Sequence, residues 1–175
     1  MGDNAAFTAD EIAELRKLLE IEKIRKIVSL YSHYMDGRRW KDLSELYTED
    51  AVGAWGPYGT WNGRAAIYKA LVDAHQGRVP YDGFHITTNA WIDLTGPDTA
   101  VSRTYLTDMW PAEELGPISH PAYPANPVLL YAVYENDFKK IGGAWKIARS
   151  AINFTWPKRA VHDGFPRAMS SASMG

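Results

Sequence analysis

A chain of 175 residues, 46% apolar and 23% charged, has the balance of one globular domain with room for a sizeable core. Its net charge of −2 and the lack of any basic run leave no electrostatic footprint for nucleic acid. No apolar stretch is long enough to cross a bilayer, no basic-then-apolar signal opens the sequence, and the absence of cysteine removes disulfides and thiol nucleophiles, so a cytoplasmic location is expected.

The stretch FTADEIAELRKLLEIEKIRKIVSLYSHYMDG reads as one long helix. Thr8 and Glu11 form a capping box, and Phe7 is placed to staple onto Ile12. Ile12, Leu15, Leu19, Ile24, Ile27, Val28 and Tyr31 recur at helical spacing, which predicts one buried face, and Gly37 supplies the stop. WKDLSELY predicts a short second helix, and NGRAAIYKALVDAHQG a third. From Tyr81 on, the pattern turns to strands. FHITTNAWIDL and TAVSRTYLTDMW flank a TGPD turn, and VLLYAVYENDFKKI and AWKIARSAINFTW flank a Gly-Gly turn, giving two long hairpins. Between the hairpins lie five prolines over Pro111 to Pro127, a candidate lid. The order predicts an α+β domain, with an antiparallel sheet curling around three N-terminal helices. The whole of 1–175 is read as one domain, with 1–7 and 160–175 as tails.

The chemistry-bearing residues are few. Strict alternation over Phe84 to Leu94 puts Phe84, Ile86, Thr88, Ala90, Ile92 and Leu94 on one face, and His85, Thr87, Asn89, Trp91 and Asp93 on a pocket-like other. His85 is either satisfied by a neighbouring carbonyl or a general base. Asp36 is either a turn acceptor at a helix end or the partner of a histidine. A carboxylate at a helix C-terminus is disfavoured by about 0.3–1 kcal/mol, which calls for such a partner. Arg149 shares alternation with Trp145, Ile147, Ala151 and Asn153, and so is paired internally, aimed at an anion, or exposed at a sheet edge. His33 reads as a surface or packing residue, and the other histidines lack metal-ligand spacing. The seven Trp and ten Tyr suit either a packed core and subunit interface or an aromatic-walled pocket. Trp55, Trp91, Tyr105, Trp110 and Tyr131 are the candidates for that wall, with Asn153 a polar contact. An apolar second face on the first hairpin strand also predicts a covering subunit.

YMDGRRWKDLSELYTEDAV, GTWNGRAAIYKAL, FHITTNAWIDL and GAWKIARSAINFTWP together resemble the NTF2-like superfamily, in its SnoaL-like branch with hexachlorocyclohexane dehydrochlorinase, scytalone dehydratase and bile-acid 7α-dehydratase. The resemblance implies a cone-shaped fold and a His–Asp dyad on His85 and Asp36 that removes a proton without metal or organic cofactor. It places a catalytic tyrosine on Tyr31, where the dehydrochlorinase has lysine, which favours a substrate bearing an oxygen. By its offset from Trp145–Lys146, Arg149 matches an arginine that stabilises negative charge. The implied reaction is elimination of water or a small carbon fragment, such as formaldehyde, from a hydrophobic aromatic or alicyclic compound. The same superfamily also holds isomerases, cyclases and binding proteins, and its members suggest a homodimer or homotrimer.

Overall fold

The computed structural model describes residues 7–109 and 128–156. The elements are α1 (Ala9–Asp36), α2 (Trp40–Ser44), β1 (Tyr47–Ala54), a 3-10 turn (Gly56–Tyr58), β2 (Thr60–Asn62), α3 (Arg64–Ala74), β3 (Phe84–Leu94), β4 (Thr99–Met109), β5 (Val128–Ile141) and β6 (Ala144–Trp156). The six strands form one curved sheet in the order β2-β1-β6-β5-β4-β3. The architecture is α+β, as the element order predicts. Trp110, the Pro111 to Pro127 loop and the 160–175 tail, like residues 1–6, lie outside the described residues.

The start of α1 follows the capping logic. Thr8 Oγ1 accepts from the Glu11 N–H at 3.2 Å, and the Glu11 carboxylate accepts from the Thr8 N–H at 2.8 Å. The buried face, however, is confined to the C-terminal half: Ile24, Ile27, Val28, Tyr31, Ser32, Met35 and Asp36. Ile12, Leu15 and Leu19 are exposed, against the expectation of one continuous buried stripe. The reason is length. Glu20 anchors the helix to the end of the β5–β6 hairpin, accepting from Trp145 Nε1 at 2.6 Å and pairing with Lys140 at 2.7 Å. Lys140, Lys23 and Trp145 together hold the Glu20 carboxyl at a pKa of about 2. At 1.5 Å per residue, the turns before Glu20 extend roughly 17 Å further.

Two strands were not legible as such. The segment predicted to continue the second helix to Tyr47 instead ends at Ser44, and Tyr47 opens β1. β1 pairs in parallel with β6 (Tyr47 with Ile147, Val52 with Arg149) and antiparallel with β2. The sheet is therefore mixed rather than purely antiparallel. Tyr47, Leu43, Ile67 and Ile24 are fully buried where α1, α2 and α3 close over the concave face.

Two bulges decide which side chains face that concavity. Between β3 and β4 the register passes from Thr88 opposite Tyr105 to Trp91 opposite Arg103, so β3 carries an extra residue. Asn89 takes φ +55° there, a conformation asparagine tolerates better than most residues. His85 and Thr87 thus share the inner face with Ile92, while Trp91 joins Phe84 and Ile86 outside. Between β5 and β6, Asp137 faces Arg149 but Phe138 faces Ile147, leaving Ala148 as the extra residue. Trp145 and Ile147 point to the core, and Arg149, Ala151 and Asn153 to the outer face. Strict alternation fails at both places because one inserted residue inverts everything beyond it.

The core packing sets a stability test. Ile67 lies on α3 against β1 and is fully buried, so Ile67→Ala is expected to lower the unfolding free energy by about 2–5 kcal/mol. Leu18→Ala, on the exposed part of α1, should change it by no more than about 0.5 kcal/mol. Urea unfolding of the two variants measures the contrast.

Candidate active site

Asp36 is the last residue of α1, and its carboxylate reaches across to the start of β3. It accepts the His85 backbone N–H at 3.0 and 3.3 Å and meets His85 Nδ1 at 2.7 Å. These three contacts supply the positive partners that a carboxylate at a helix C-terminus lacks. The main chain is tied at the same point, the Tyr81 N–H donating to the Asp36 carbonyl at 2.7 Å. Two residues beyond Asp36, Arg38 forms an ion pair with Asp82, and both side chains are buried. The approach to β3 is thereby clamped to the helix end.

With Nδ1–H committed to Asp36, the other imidazole nitrogen is left to act. Nε2 stands 3.9 Å from Asp108 Oδ2, on the neighbouring strand directly opposite His85. The imidazole thus lies between two carboxylates, and all three side chains are at most 10% exposed. Burial alone pushes the His85 pKa down. The charges of Asp108 and Asp36, with the Asp36 hydrogen bond, outweigh it and leave the pKa above 6.5.

His85 and Asp108 open onto a cavity of about 300 Å³, within the size range of small-molecule sites. Tyr31 and Tyr134 line it together with His85 and Asp108, their rings edge to face with centroids 5.4 Å apart. Burial pushes both phenols up, Tyr134 raising Tyr31 further and the Asp108 charge raising Tyr134, so they stay protonated. The opposite wall is aromatic: Trp55 leans on Trp61 at 4.9 Å, and Tyr58 meets Phe154 edge-on at 5.6 Å. Gly56 allows this closeness, since it has φ +54° and a Cβ there would come within 2.8 Å of the Phe154 ring. Met35, Leu71 and His75 complete the helical side. His75 Nδ1 lies 2.8 Å from the Leu71 carbonyl, its ring packs on Trp40 at 4.9 Å, and burial lowers its pKa, so it is the neutral histidine of the site.

Of the residues singled out in the sequence, Tyr31, Asp36, His85 and Trp55 come together here. Trp91, Tyr105, Tyr131, Asn153 and Arg149 do not line the cavity. Tyr105 and Tyr131 are exposed on the outer face, the register pairing Tyr105 with Val133 and Val133 with Asn153. Arg149 lies on the same outer face opposite Asp137, for the reason given by the Ala148 bulge. His33 is exposed. The sequence reading missed Asp108, Tyr134 and Trp61. Asp108 left a usable signal: nine residues back from Leu94 and nine on from Thr99, across the TGPD turn, His85 and Asp108 fall opposite each other. Among the described residues no group of three or more His, Asp or Glu is arranged to hold a metal ion, and no helix is long and apolar enough to cross a membrane.

Residues 16–151 match the family model described as a SnoaL-like domain. The fold is similar to that of an NTF2-like protein with a cystatin-like fold from Novosphingobium aromaticivorans (20% identity, 91% of this chain and 96% of that one, TM-score 0.66). It is also similar to a candidate scytalone dehydratase from the same organism (21%, 87% and 97%, 0.64) and to LinA (14%, 90% and 99%, 0.65). A search among curated proteins finds no sequence match.

The electrostatics give a direct test. His85 is expected to titrate above 6.5 in the folded protein, and Asp36→Asn to bring its pKa down by removing one of the two anions. Because the folded pKa is raised, the ionised pair stabilises the fold fully below pH 6.5, and that contribution is lost as pH rises through the folded-state value. NMR titration of the His85 ring reads this, and a wild-type value below 6.5 would contradict it.

Proposed function

The chain belongs to the SnoaL-like domain family, and within it we propose that it is a cofactor-independent lyase acting on a hydrophobic aromatic or alicyclic substrate that bears an oxygen. The observation that carries this reading is the buried His85–Asp36 pair, 2.7 Å apart, at the wall of an aromatic-lined cavity. Asp36 accepts from Nδ1–H, fixes the tautomer and stabilises the imidazolium that forms, so Nε2 serves as general base.

In the simplest course, Nε2 takes a proton from carbon. The C–H electron pair becomes the new C=C bond, and the C–O bond breaks with its pair leaving on oxygen. Tyr31 donates a hydrogen bond, then its proton, to that oxygen, which departs as water. The proton on His85 afterwards restores the phenol. Where the substrate carries a hydroxymethyl group beside the reacting carbon, the base takes the hydroxyl proton instead. The C–C bond then supplies the pair for the new double bond, and formaldehyde leaves along with water. Asp108 holds the developing imidazolium from its other side and keeps the base strong. Arg149, on the far face of the sheet, has no part in this scheme.

The paired walls support the substrate class. Trp55, Trp61, Tyr58 and Phe154 offer ring faces and edges to an apolar body, while Tyr31, Tyr134, His85 and Asp108 gather the polar groups at one side. The outer sheet face, with Phe84, Ile86, Tyr105 and Tyr131 exposed, is the surface we assign to a second copy of the chain. Light scattering is expected to read a dimer or trimer.

Diaryl, steroid-like and polyketide compounds screened by product mass test the reaction. A lyase releases water or formaldehyde, whereas conserved mass would mean isomerisation or cyclisation by the same base. His85→Ala is expected to lower kcat by at least about a hundredfold while leaving ligand binding largely intact. In wild type, kcat/KM should rise with pH through a value above 6.5, and Asp108→Asn should move that limb toward acid. Retained turnover in His85→Ala would end the reading.

A further inference from the structure

The way α1 ends runs against its own sequence. Two backbone bonds close it, the Arg38 N–H donating to the Met35 carbonyl at 3.1 Å and the Arg39 N–H to the Tyr34 carbonyl at 2.8 Å. This closure needs one left-handed residue, the place that glycine normally fills. Here glycine stands one position early: Gly37 has an ordinary φ of −77°, and Arg38 carries the φ of +54°. Across the corner Tyr81 is left-handed too, at φ +61°, and its N–H holds the Asp36 carbonyl at 2.7 Å. Backbone strain of this kind persists only where surrounding contacts enforce it, and it gathers at functional sites. The contacts that enforce it here are those of the Arg38 side chain. Besides its buried pairing with Asp82, Nη1 donates to the Met35 carbonyl at 3.2 Å. The guanidinium carbon lies 5.5 Å from the centre of the Trp40 ring, which in turn packs on His75. Asp82 is held as well, accepting the Val79 N–H at 3.3 Å. Arg38 does not line the substrate cavity, yet it bears on both histidines that do, its charge opposing protonation of His85 and of His75. The groups around His85 are thus Asp36 on α1, Asp108 on β4, Arg38 after α1 and His75 after α3, with the phenols of Tyr31 and Tyr134 alongside.

We propose that Arg38, anchored by Asp82, is a positioning residue for the His85–Asp36 pair. The guanidinium fixes the last turn of α1, on which Asp36 stands, and Asp82 fixes the approach to β3, three residues before His85. A carboxylate and an imidazole that meet at 2.7 Å from two separate elements keep that geometry only while the elements stay aligned. The same cation stands against Asp36 and Asp108. It stops them from holding a proton on His85 so firmly that the base is lost at neutral pH. An arginine rather than a glycine at the left-handed position is explained by these two effects, since Arg38→Gly would relax the backbone and supply neither. The kinetic half of this inference rests on the lyase reading; the effect on the titration of His85 does not.

Arg38→Gly separates a positioning role from a merely structural one, because it improves the helix ending while removing the guanidinium. NMR titration of the His85 ring is expected to give a higher pKa in Arg38→Gly than in wild type. Arg38→Lys, which keeps the charge, should stay close to wild type. With a substrate that the wild type turns over, Arg38→Gly should lower kcat at neutral pH about tenfold or more, the scale of a misplaced catalytic group, with KM little changed. Its kcat/KM limb should move to higher pH. A folded Arg38→Gly with the wild-type kcat and an unchanged His85 pKa overturns the proposal, and so does an equal rise of that pKa in Arg38→Lys. If Arg38→Gly does not fold because Asp82 is left unpaired, Arg38→Gly combined with Asp82→Asn removes both partners, and the wild-type kcat in that protein overturns the proposal. Should His85→Ala retain turnover, the lyase reading falls, and the His85 titration in Arg38→Gly still decides this one.

Discussion

Everything at this site hangs on one carboxylate. Asp36 sits where the carbonyl ends of α1 make negative charge unwelcome, and it is held there by the backbone N–H and ring of His85. The contact joins the longest helix to the first strand of the β3–β4 hairpin. It therefore sets both the angle at which α1 crosses the sheet and the tautomer of the imidazole. The Tyr81 N–H on the Asp36 carbonyl and the buried Arg38–Asp82 pair lock the intervening chain to the same corner. Here a local electrostatic debt, settled by a distant strand, gives the fold its register and the histidine its orientation.

The cavity grows from that corner with an asymmetric wall. Apart from His75 after α3, its ionisable groups come from α1 and the β3–β5 strands, and its aromatic bulk mainly from the β1–β2 connection, β2 and β6. The two halves have different physical work. Ring faces suit an apolar body without dictating its pose, while Asp108, the imidazole and the two phenols supply a polar edge. Protonated phenols suit this division, because burial raises the tyrosines and the charge of Asp108 raises them further.

How much of this was legible followed the range of the interactions involved. The capping box at Thr8 and Glu11, the helix stop near Gly37 and both hairpins are short-range features and could be read directly. β1 and β2 could not, because YTEDAVGA begins with polar residues and becomes a strand through parallel pairing with distant β6. Face assignments were sound only as far as the first bulge. His85 and Thr87, before Asn89, were grouped correctly, and Trp91, beyond it, was not. Arg149 failed for the same reason at Ala148. Tyr31, His85 and Trp55 were named from the sequence and line one cavity, with Asp36 bonded to His85, whereas Asp108 and Tyr134 announce themselves only through register and burial.

The parallel seam between β1 and β6 also bears on how the molecule comes to be assembled. Tyr47 meets a residue one hundred positions further along the chain, Ile147, while the β3–β4 and β5–β6 hairpins close over turns of a few residues. Loop-closure entropy favours the hairpins first and leaves the seam as the slow, high-contact-order step. Trp55 directly follows β1 and Trp61 lies in β2, so the aromatic wall is the last part of the cavity to be raised. A chain stalled before that step holds the His85–Asp36 pair without the aromatic half of its cavity.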